Sequence, residues 1–238
     1  MEKKIKAVLF DVDETLFDRK LAQKEVCKLI VKQMPRVFHT FSMEYIQETF
    51  LKSDQITTEV FNTGAPSEGS RDKRSRLFLR LLGIKEDYAA AVAEIYIRDY
   101  PLVKAPIDEA IPVVKKLSRK FSVGVVSNGF PDVQYRKLET MGLYDLFSCI
   151  VLSEVVGIRK PDPAIFQKAA SLIQIKPAEC LYVGDSYIND VIGAKNAGMQ
   201  ACWLNPESLK PQDETIKADF IISKLEELPA LLRKYEQA

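Results

Sequence analysis

The sequence predicts an α/β protein in which helices cover both faces of an open parallel sheet and an all-helical unit is inserted near its start. Short apolar runs recur along the 238 residues without polar alternation, as is typical of strands buried on both faces. Segments with helical periodicity lie between these runs, and strands that alternate with helices indicate a parallel sheet. One long stretch after the first run contains helical segments only, and it predicts the inserted unit.

Six apolar runs, rich in Val, Ile, Leu and Phe, are the predicted strands. They occupy residues 5–10, 121–126, 149–152, 180–183, 201–204 and 220–222. Amphipathic segments such as 107–120 and 163–173 are predicted as the connecting helices. This arrangement is Rossmann-like, and in such sheets ligands bind in the crevice beyond the carboxyl ends of the strands.

The predicted insert covers residues 19–100. Segments with helical spacing or helix-favouring composition are 21–34, 43–52, 73–82 and 87–100. The Gly, Pro and Ser residues at 63–70 predict a flexible loop, and two later prolines mark the return to the sheet. We therefore expect an α/β core of residues 1–18 and 101–238 and a helical cap of residues 19–100.

The composition allows a large buried core and is not that of a nucleic-acid or membrane-surface binder. Hydrophobic residues make up 47% of the chain, and 34 Lys and Arg nearly balance 33 Asp and Glu. Any anion must therefore bind at a local site rather than to the whole surface. No stretch reaches the ~20 apolar residues that cross a bilayer, and the basic start lacks the features of a signal peptide. We expect a cytoplasmic protein.

The four cysteines, Cys27, Cys149, Cys180 and Cys202, are far apart in the sequence and have apolar neighbours. No pair has the spacing of a zinc site. Isolated cysteines in apolar surroundings are typical of core residues in a reducing compartment, which is what we expect for all four.

Two acidic residues, Asp11 and Asp13, follow directly after the first predicted strand. Carboxylates two residues apart can point the same way from an extended backbone. An acidic turn at the strand end is the competing interpretation, and a bare Asp-x-Asp pattern does not exclude it. A functional role needs partners from elsewhere in the chain.

Two further segments have residues suited to phosphate. Ser127, Asn128 and Gly129 follow the second strand and offer a hydroxyl, an amide and main-chain N–H groups with room for close approach. Lys160 precedes a proline and a helix start, where its ammonium can act as a point charge for phosphate. The alternatives are an ordinary capped turn and a solvated lysine.

The fourth polar cluster contains Asp185 and Asp190, which span the end of the fourth strand and the next helix start. Carboxylate oxygens are hard ligands that suit Mg²⁺. Helix capping and a favourable acid at a helix N-terminus are the alternatives. Four polar clusters, each at or just beyond a strand-like run, are nevertheless hard to explain as separate local features.

The four clusters resemble the motifs of the haloacid dehalogenase-like hydrolase superfamily. The matching segments are FDVDETL (10–16), VVSNGF (125–130), GIRKPD (157–162) and VGDSYINDVIGAKNAG (183–198). The insert resembles the helical cap that one subgroup carries between its first and second motifs. The segments SEVVGIRKPD and ACWLNP are also similar to bacterial pyrimidine 5′-nucleotidase-like phosphatases.

The resemblance implies a role for each matched residue. Asp11 would be the nucleophile that forms an aspartyl-phosphate, and Asp13 the general acid and then the general base. The implied Mg²⁺ ligands are Asp11, Asp13 through its main-chain carbonyl, Asp185 and Asp190. The implied phosphate-binding residues are Ser127, Asn128, Gly129 and Lys160. Dehalogenases of the superfamily lack an acid at the position of Asp13, so its presence favours phosphate esters.

We therefore expect a Mg²⁺-dependent phosphatase for small phosphate monoesters, with nucleoside 5′-monophosphates among the candidate substrates. A sugar phosphomutase is an alternative, since it can use the same pair of acids. A non-catalytic phosphate-binding regulatory protein is a second alternative, although a binder has no need for both acids. The expected partner is a small phosphate ester, and the expected assembly is a monomer or a homodimer.

Overall fold

The computed structural model describes residues 4–62 and 71–235, and the chain divides into two compact units. One unit combines Met1–Asp18 with Ala105–Ala238 and contains the sheet. The other, Arg19–Lys104, is helical. Within the described ranges, no helix combines the length and the apolar character that a membrane span requires.

The core unit contains a six-stranded sheet in which every neighbouring pair is parallel. The strands are β1 (Ala7–Phe10), β2 (Ser122–Ser127), β3 (Cys149–Leu152), β4 (Cys180–Gly184), β5 (Gln200–Leu204) and β6 (Phe220–Ile222). Their order is β3-β2-β1-β4-β5-β6. Strands β2 and β3 therefore extend the sheet on one side of β1, and β4, β5 and β6 extend it on the other. The predicted fold class is confirmed, and this change of side places the expected ligand crevice beside β1.

Eleven α-helices are described. They are α1 (Arg19–Gln33), α2 (Pro35–Phe38), α3 (Met43–Asn62), α4 (Arg71–Leu81), α5 (Ala89–Asp99), α6 (Ala110–Leu117), α7 (Pro131–Thr140), α8 (Ser153–Val156), α9 (Pro163–Leu172), α10 (Gly193–Asn196) and α11 (Leu228–Leu232). A π-helical turn, Tyr187–Ile192, precedes α10. Helices α1 to α5 form the helical unit, and the others belong to the core unit.

The central strands are buried along their whole length, which explains their continuous apolar sequence. All four residues of β1 and all five of β4 are buried. Helix α9 packs on this layer through Phe166, whose ring meets that of Tyr182 edge-on with the centroids 4.8 Å apart. Such edge-to-face pairs add roughly 1 kcal/mol beyond the burial of their area.

The helical unit has its own aromatic core. The Phe50 ring meets Phe78 edge-on at 5.1 Å and lies 5.8 Å from that of Tyr96. The guanidinium of Arg74 stacks on Tyr96 at 3.5 Å and pairs with the buried Asp54. A second guanidinium, that of Arg19, also pairs with Asp54, and these charges lower the pKa of Asp54 against the raising effect of burial.

Two element boundaries differ from the sequence expectation. Helix α3 continues to Asn62 instead of ending near residue 52, and within it the hydroxyl of Thr57 donates to the Ser53 carbonyl, which satisfies this polar group inside the helix. The predicted loop at 63–70 lies outside the described residues. Residues 101–104 group with the helical unit, so the core resumes at Ala105 rather than at 101. Pro101 lies in a short turn that continues α5, where proline is tolerated.

Candidate active site

Three neighbouring strands of the sheet end within two residues of one another and position the polar clusters. In β1, Phe10 is the partner of both Val125 in β2 and Val183 in β4. Asp11 follows β1 directly, and its main-chain N–H donates to the Val183 carbonyl at 2.9 Å. The carboxyl ends of parallel strands therefore gather the candidate residues along one edge of the sheet.

Lys160 is the centre of the site. Its Nζ lies 2.7 Å from Asp11 Oδ1 and 2.7 Å from Asp190 Oδ1, and it donates to the Tyr182 hydroxyl at 3.0 Å. Only 3% of its side chain is exposed. Burial acts to lower the pKa of Lys160, but the two carboxylates outweigh burial, and the pKa lies above its ordinary value. Lys160 is therefore a permanent cation.

Asp11, Asp185 and Asp190 form a compact carboxylate cluster, with one oxygen of each within 4.8 Å of the others. Burial raises the pKa of Asp11 to about 6, opposed by Lys160 and reinforced by Asp190. Burial and the charges of Asp190 and Asp11 raise the pKa of Asp185 well above its ordinary range. One lysine thus neutralises too little of the charge of three neighbouring carboxylates, two of which are buried.

The cluster is held in place from several sides. The main-chain N–H of Ser186 donates to Asp190 Oδ2 at 2.9 Å. Thr15 donates its hydroxyl to Asp185 Oδ1 at 3.3 Å, and the Trp203 indole donates to the Asp185 carbonyl at 2.8 Å. A side chain at Gly184 would collide with the Asp190 carboxylate, so glycine leaves the space that Asp190 occupies.

Asp13 has different hydrogen-bond partners from Asp11. The Asp13 side chain accepts hydrogen bonds from Lys137 Nζ at 2.5 Å and from Gln134 Nε2 at 2.8 Å. The difference arises because β1 ends at Phe10 and the chain turns after Asp11, with Glu14 at a positive φ of 59°. The alternation of a strand therefore no longer applies at Asp13.

Ser127 and Asn128, at the end of β2, have different hydrogen-bond partners. Ser127 is buried, and its Oγ accepts from Gln134 Nε2 at 3.3 Å. The Asn128 amide brackets the main chain of Lys160, donating to its carbonyl and accepting from its N–H, both at 2.9 Å. The side chain of Asn128 thus positions Lys160, and its predicted contact with phosphate depends on its main-chain N–H.

Gly129 leaves the space that the Gln134 side chain occupies. A Cβ at Gly129 would lie 2.8 Å from Gln134 Cγ and closer still to Nε2, so an added methyl group would push this side chain away. The absence of a side chain at Gly129 therefore makes room for Gln134 of α7, in addition to the close approach to phosphate that the sequence predicts.

Three residues that contact the candidate site were not predicted from the sequence: Gln134, Lys137 and Tyr182. Gln134 and Lys137 are three apart in α7, a spacing that places them on one face of the helix. That spacing is a weak signal, because lysine and glutamine are common on exposed helix faces. Tyr182 has no polar neighbours in its strand, and its hydroxyl donates to the Val126 carbonyl at 2.7 Å.

Comparisons with known proteins agree with this geometry. Residues 5–198 match the family model of haloacid dehalogenase-like hydrolases. The chain is 30% identical over 237 residues to the glyceraldehyde 3-phosphate phosphatase of Methanopyrus kandleri, covering 97% of this chain and 98% of the relative. It is 28% identical over 233 residues to the pyrimidine 5′-nucleotidase YjjG of Escherichia coli, covering 96% and 98% of the two chains.

A solved structure is similar over nearly the whole chain. The HAD-hydrolase YfnB of Bacillus subtilis, crystallised with bound magnesium, superposes with a TM-score of 0.84 at 28% identity. The match covers 97% of this chain and 100% of that one. The strand-end clusters, the family match and the structural likeness therefore all indicate a haloacid dehalogenase-like hydrolase.

Proposed function

The chain belongs to the haloacid dehalogenase-like hydrolases, and from that premise we propose that it hydrolyses small phosphate monoesters with Asp11 as the nucleophile. One observation carries the proposal: the Asp11 carboxylate lies against the buried ammonium of Lys160, while a second acid, Asp13, is held by separate partners. A hydrolase that expels an alcohol needs both a nucleophile and a proton donor.

We propose that the carboxylate cluster binds Mg²⁺ through Asp11, Asp185 and Asp190, with the main-chain carbonyl of Asp13 as a further ligand. Hard oxygen donors and an uncompensated negative charge fit this ion. The bound magnesium of the Bacillus subtilis relative supports the assignment. When bound, the ion supplies positive charge that neutralises the phosphate and the carboxylates.

The residues of this chain then have defined tasks. An Asp11 oxygen attacks phosphorus, a new P–O bond forms, and the bond to the leaving oxygen breaks while Asp13 protonates that oxygen. In the second step Asp13 removes a proton from water, the water oxygen attacks phosphorus, and the bond to Asp11 breaks to release phosphate. Proton transfer of this kind is typically worth about 10²–10⁴-fold in rate.

Lys160 and the segment after β2 are proposed to bind the phosphoryl oxygens. The Lys160 ammonium is already positioned beside the attacking carboxylate, so a phosphoryl oxygen needs only to replace one of the three contacts that its N–H groups now make. The Ser127 hydroxyl and the main-chain N–H groups of Asn128 and Gly129 are the further proposed donors. Catalysis of phosphoryl transfer depends mainly on such positioning and charge neutralisation.

For the substrate we propose a small monoester with an alkyl leaving group. The relatives named above act on glyceraldehyde 3-phosphate and on pyrimidine nucleoside 5′-phosphates, so both classes are candidates. We further propose that the helical unit, Arg19–Lys104, acts as the cap that selects among them.

The test is release of inorganic phosphate from a panel of nucleoside monophosphates, sugar phosphates, glyceraldehyde 3-phosphate and p-nitrophenyl phosphate, with and without Mg²⁺. We expect Mg²⁺-dependent turnover that is abolished in Asp11→Asn. Asp145→Asn changes an exposed acid in the same way and should leave turnover intact. Undiminished phosphate release by Asp11→Asn would contradict the proposal, and phosphate transfer within a sugar phosphate without release would replace it with a mutase.

A further inference from the structure

We propose that Gln134 and Lys137 are positioning residues that hold the Asp13 carboxylate in the orientation required for proton transfer. The inference rests on the proposed function and adds to it a pair of residues outside the segments that resemble the family motifs. Both residues lie on α7, the helix that begins just after the Ser127–Gly129 segment.

The geometry engages both oxygens of the carboxylate. Lys137 Nζ lies 2.5 Å from Asp13 Oδ1, and Gln134 Nε2 lies 2.8 Å from Asp13 Oδ2. One contact leaves a carboxylate free to rotate about its Cβ–Cγ bond, whereas contacts to both oxygens fix that rotation. The two donors come from one helix, three residues apart, so a single element positions both of them.

The pair is built into the core rather than resting on its surface. Lys137 is 1% exposed, and its ammonium lies 4.4 Å from the centre of the buried Phe17 ring. Gln134 is 2% exposed and also donates to Ser127. Burying an ammonium costs free energy that pairing does not always recover, so a buried lysine at this place calls for a functional reason.

Asp13 remains accessible while it is held. Its side chain keeps 24% of its surface exposed, although the Lys137 side chain beside it keeps only 1%. A general acid must reach the leaving oxygen at about 2.6–3.2 Å, and a displacement of about 1 Å can cost on the order of 10²-fold in rate. A fixed but accessible carboxylate meets this requirement without ordering the side chain in each catalytic cycle.

A purely structural ion pair would give a different kinetic result. Removing structural support lowers the rate with every substrate, because the whole site loosens. Removing the orientation of Asp13 lowers the first step only where the leaving oxygen needs a proton. An alkyl monoester needs that proton, whereas p-nitrophenolate leaves without it, so the two esters separate the two interpretations.

The experiment compares Lys137→Met and Gln134→Leu with the wild type, using β-glycerol phosphate and p-nitrophenyl phosphate with Mg²⁺. For Lys137→Met we expect kcat/KM to fall by about 10²-fold with the alkyl ester and by less than about threefold with the aryl ester. Gln134→Leu should show the same selectivity to a smaller extent. Lys137→Arg retains a cation and should recover part of the loss with the alkyl ester.

A second readout follows from the base role of Asp13. Hydrolysis of the aspartyl-phosphate should slow in Lys137→Met, so p-nitrophenol should appear in a burst that matches the enzyme concentration. Lys168→Met replaces an exposed lysine of α9 and should leave both substrates and the kinetic course unchanged. Thermal unfolding of each variant measures any loss of stability separately.

Equal losses with both esters would overturn the inference, as would unchanged kinetics in both variants. If Lys137→Met does not fold, Gln134→Leu decides between the same outcomes. Failure of the proposed function gives a different result: the wild type itself would release no phosphate from any ester. If the wild type is active and the variants lose activity equally with both esters, only the positioning role is rejected.

Discussion

Asp11→Asn should make the metal-free protein more stable while it abolishes turnover. Burial is the main reason that the pKa of Asp11 is raised from 3.8 to about 6, although Lys160 opposes it. A carboxyl group whose pKa is higher in the folded protein than in the unfolded chain binds its proton more tightly when folded. Its contribution to stability is therefore fully present below pH 3.8 and is lost as the pH rises through about 6.

The magnitude follows from that pKa difference. A shift of about two pKa units corresponds to about 3 kcal/mol of stability lost in the wild type above the folded-state pKa. Asparagine carries no charge at any pH and avoids this loss. For a chain of this length, about 3 kcal/mol corresponds to a rise in Tm of roughly 6–12 °C. The pKa of Asp185, which the charge of Asp11 helps to raise, should also fall towards its ordinary value.

The assay is thermal unfolding followed by circular dichroism, in a metal chelator, at about pH 8 and at about pH 4. We expect the variant to exceed the wild type at the higher pH and to approach it at the lower one. Asp145→Asn, on the exposed surface, should show neither effect. A variant that unfolds at or below the wild-type temperature at about pH 8 would refute the reasoning, because ionised Asp11 would then stabilise the fold.

Two further predictions concern the support of Lys160. Lys160→Met leaves the carboxylates of Asp11 and Asp190 without their cation, so the free energy of unfolding in chelator should fall by roughly 3–5 kcal/mol, as measured by calorimetry. The KM for phosphate esters should also rise, as measured by steady-state kinetics. Asn128→Ala removes both hydrogen bonds to the Lys160 main chain, so the free energy of unfolding should fall by about 1–3 kcal/mol and KM should rise. Asn196→Ala, outside the site, is the control and should change neither quantity.

The strand ends explain why the positions of several candidate site residues could be predicted from the sequence. A buried parallel strand is a continuous apolar run, so the first polar residue after it marks the edge where ligands bind. Asp11 and Asp185 are such residues, and Ser127 is the last residue of its strand. Parallel strands bring such residues together when they end at one edge of the sheet, as the register of β1 with its two neighbours shows here.

Contacts made by side chains across the sheet could not be predicted in the same way. Asn128 suits phosphate in sequence, yet its amide holds a main chain that lies 32 residues away. Lys137 has the sequence surroundings of an ordinary solvated lysine, and only the fold buries it beside Asp13, 124 residues away. Such roles depend on distances that neither periodicity nor local propensity contains.

The two buried lysines would allow acids only two positions apart to take the different roles that we propose for Asp11 and Asp13. Lys160 holds Asp11 within a crowded carboxylate cluster, where a divalent cation would add the missing positive charge. Lys137 pairs with Asp13 outside that cluster, and among the charges that act on Asp11 that of Asp13 is the smallest cause of the raised pKa. If a single lysine served both acids, orienting the proton donor would compete with neutralising the nucleophile. Separate cations remove that competition, and for this reason Lys137→Met should impair proton transfer while leaving phosphate binding by Lys160 intact.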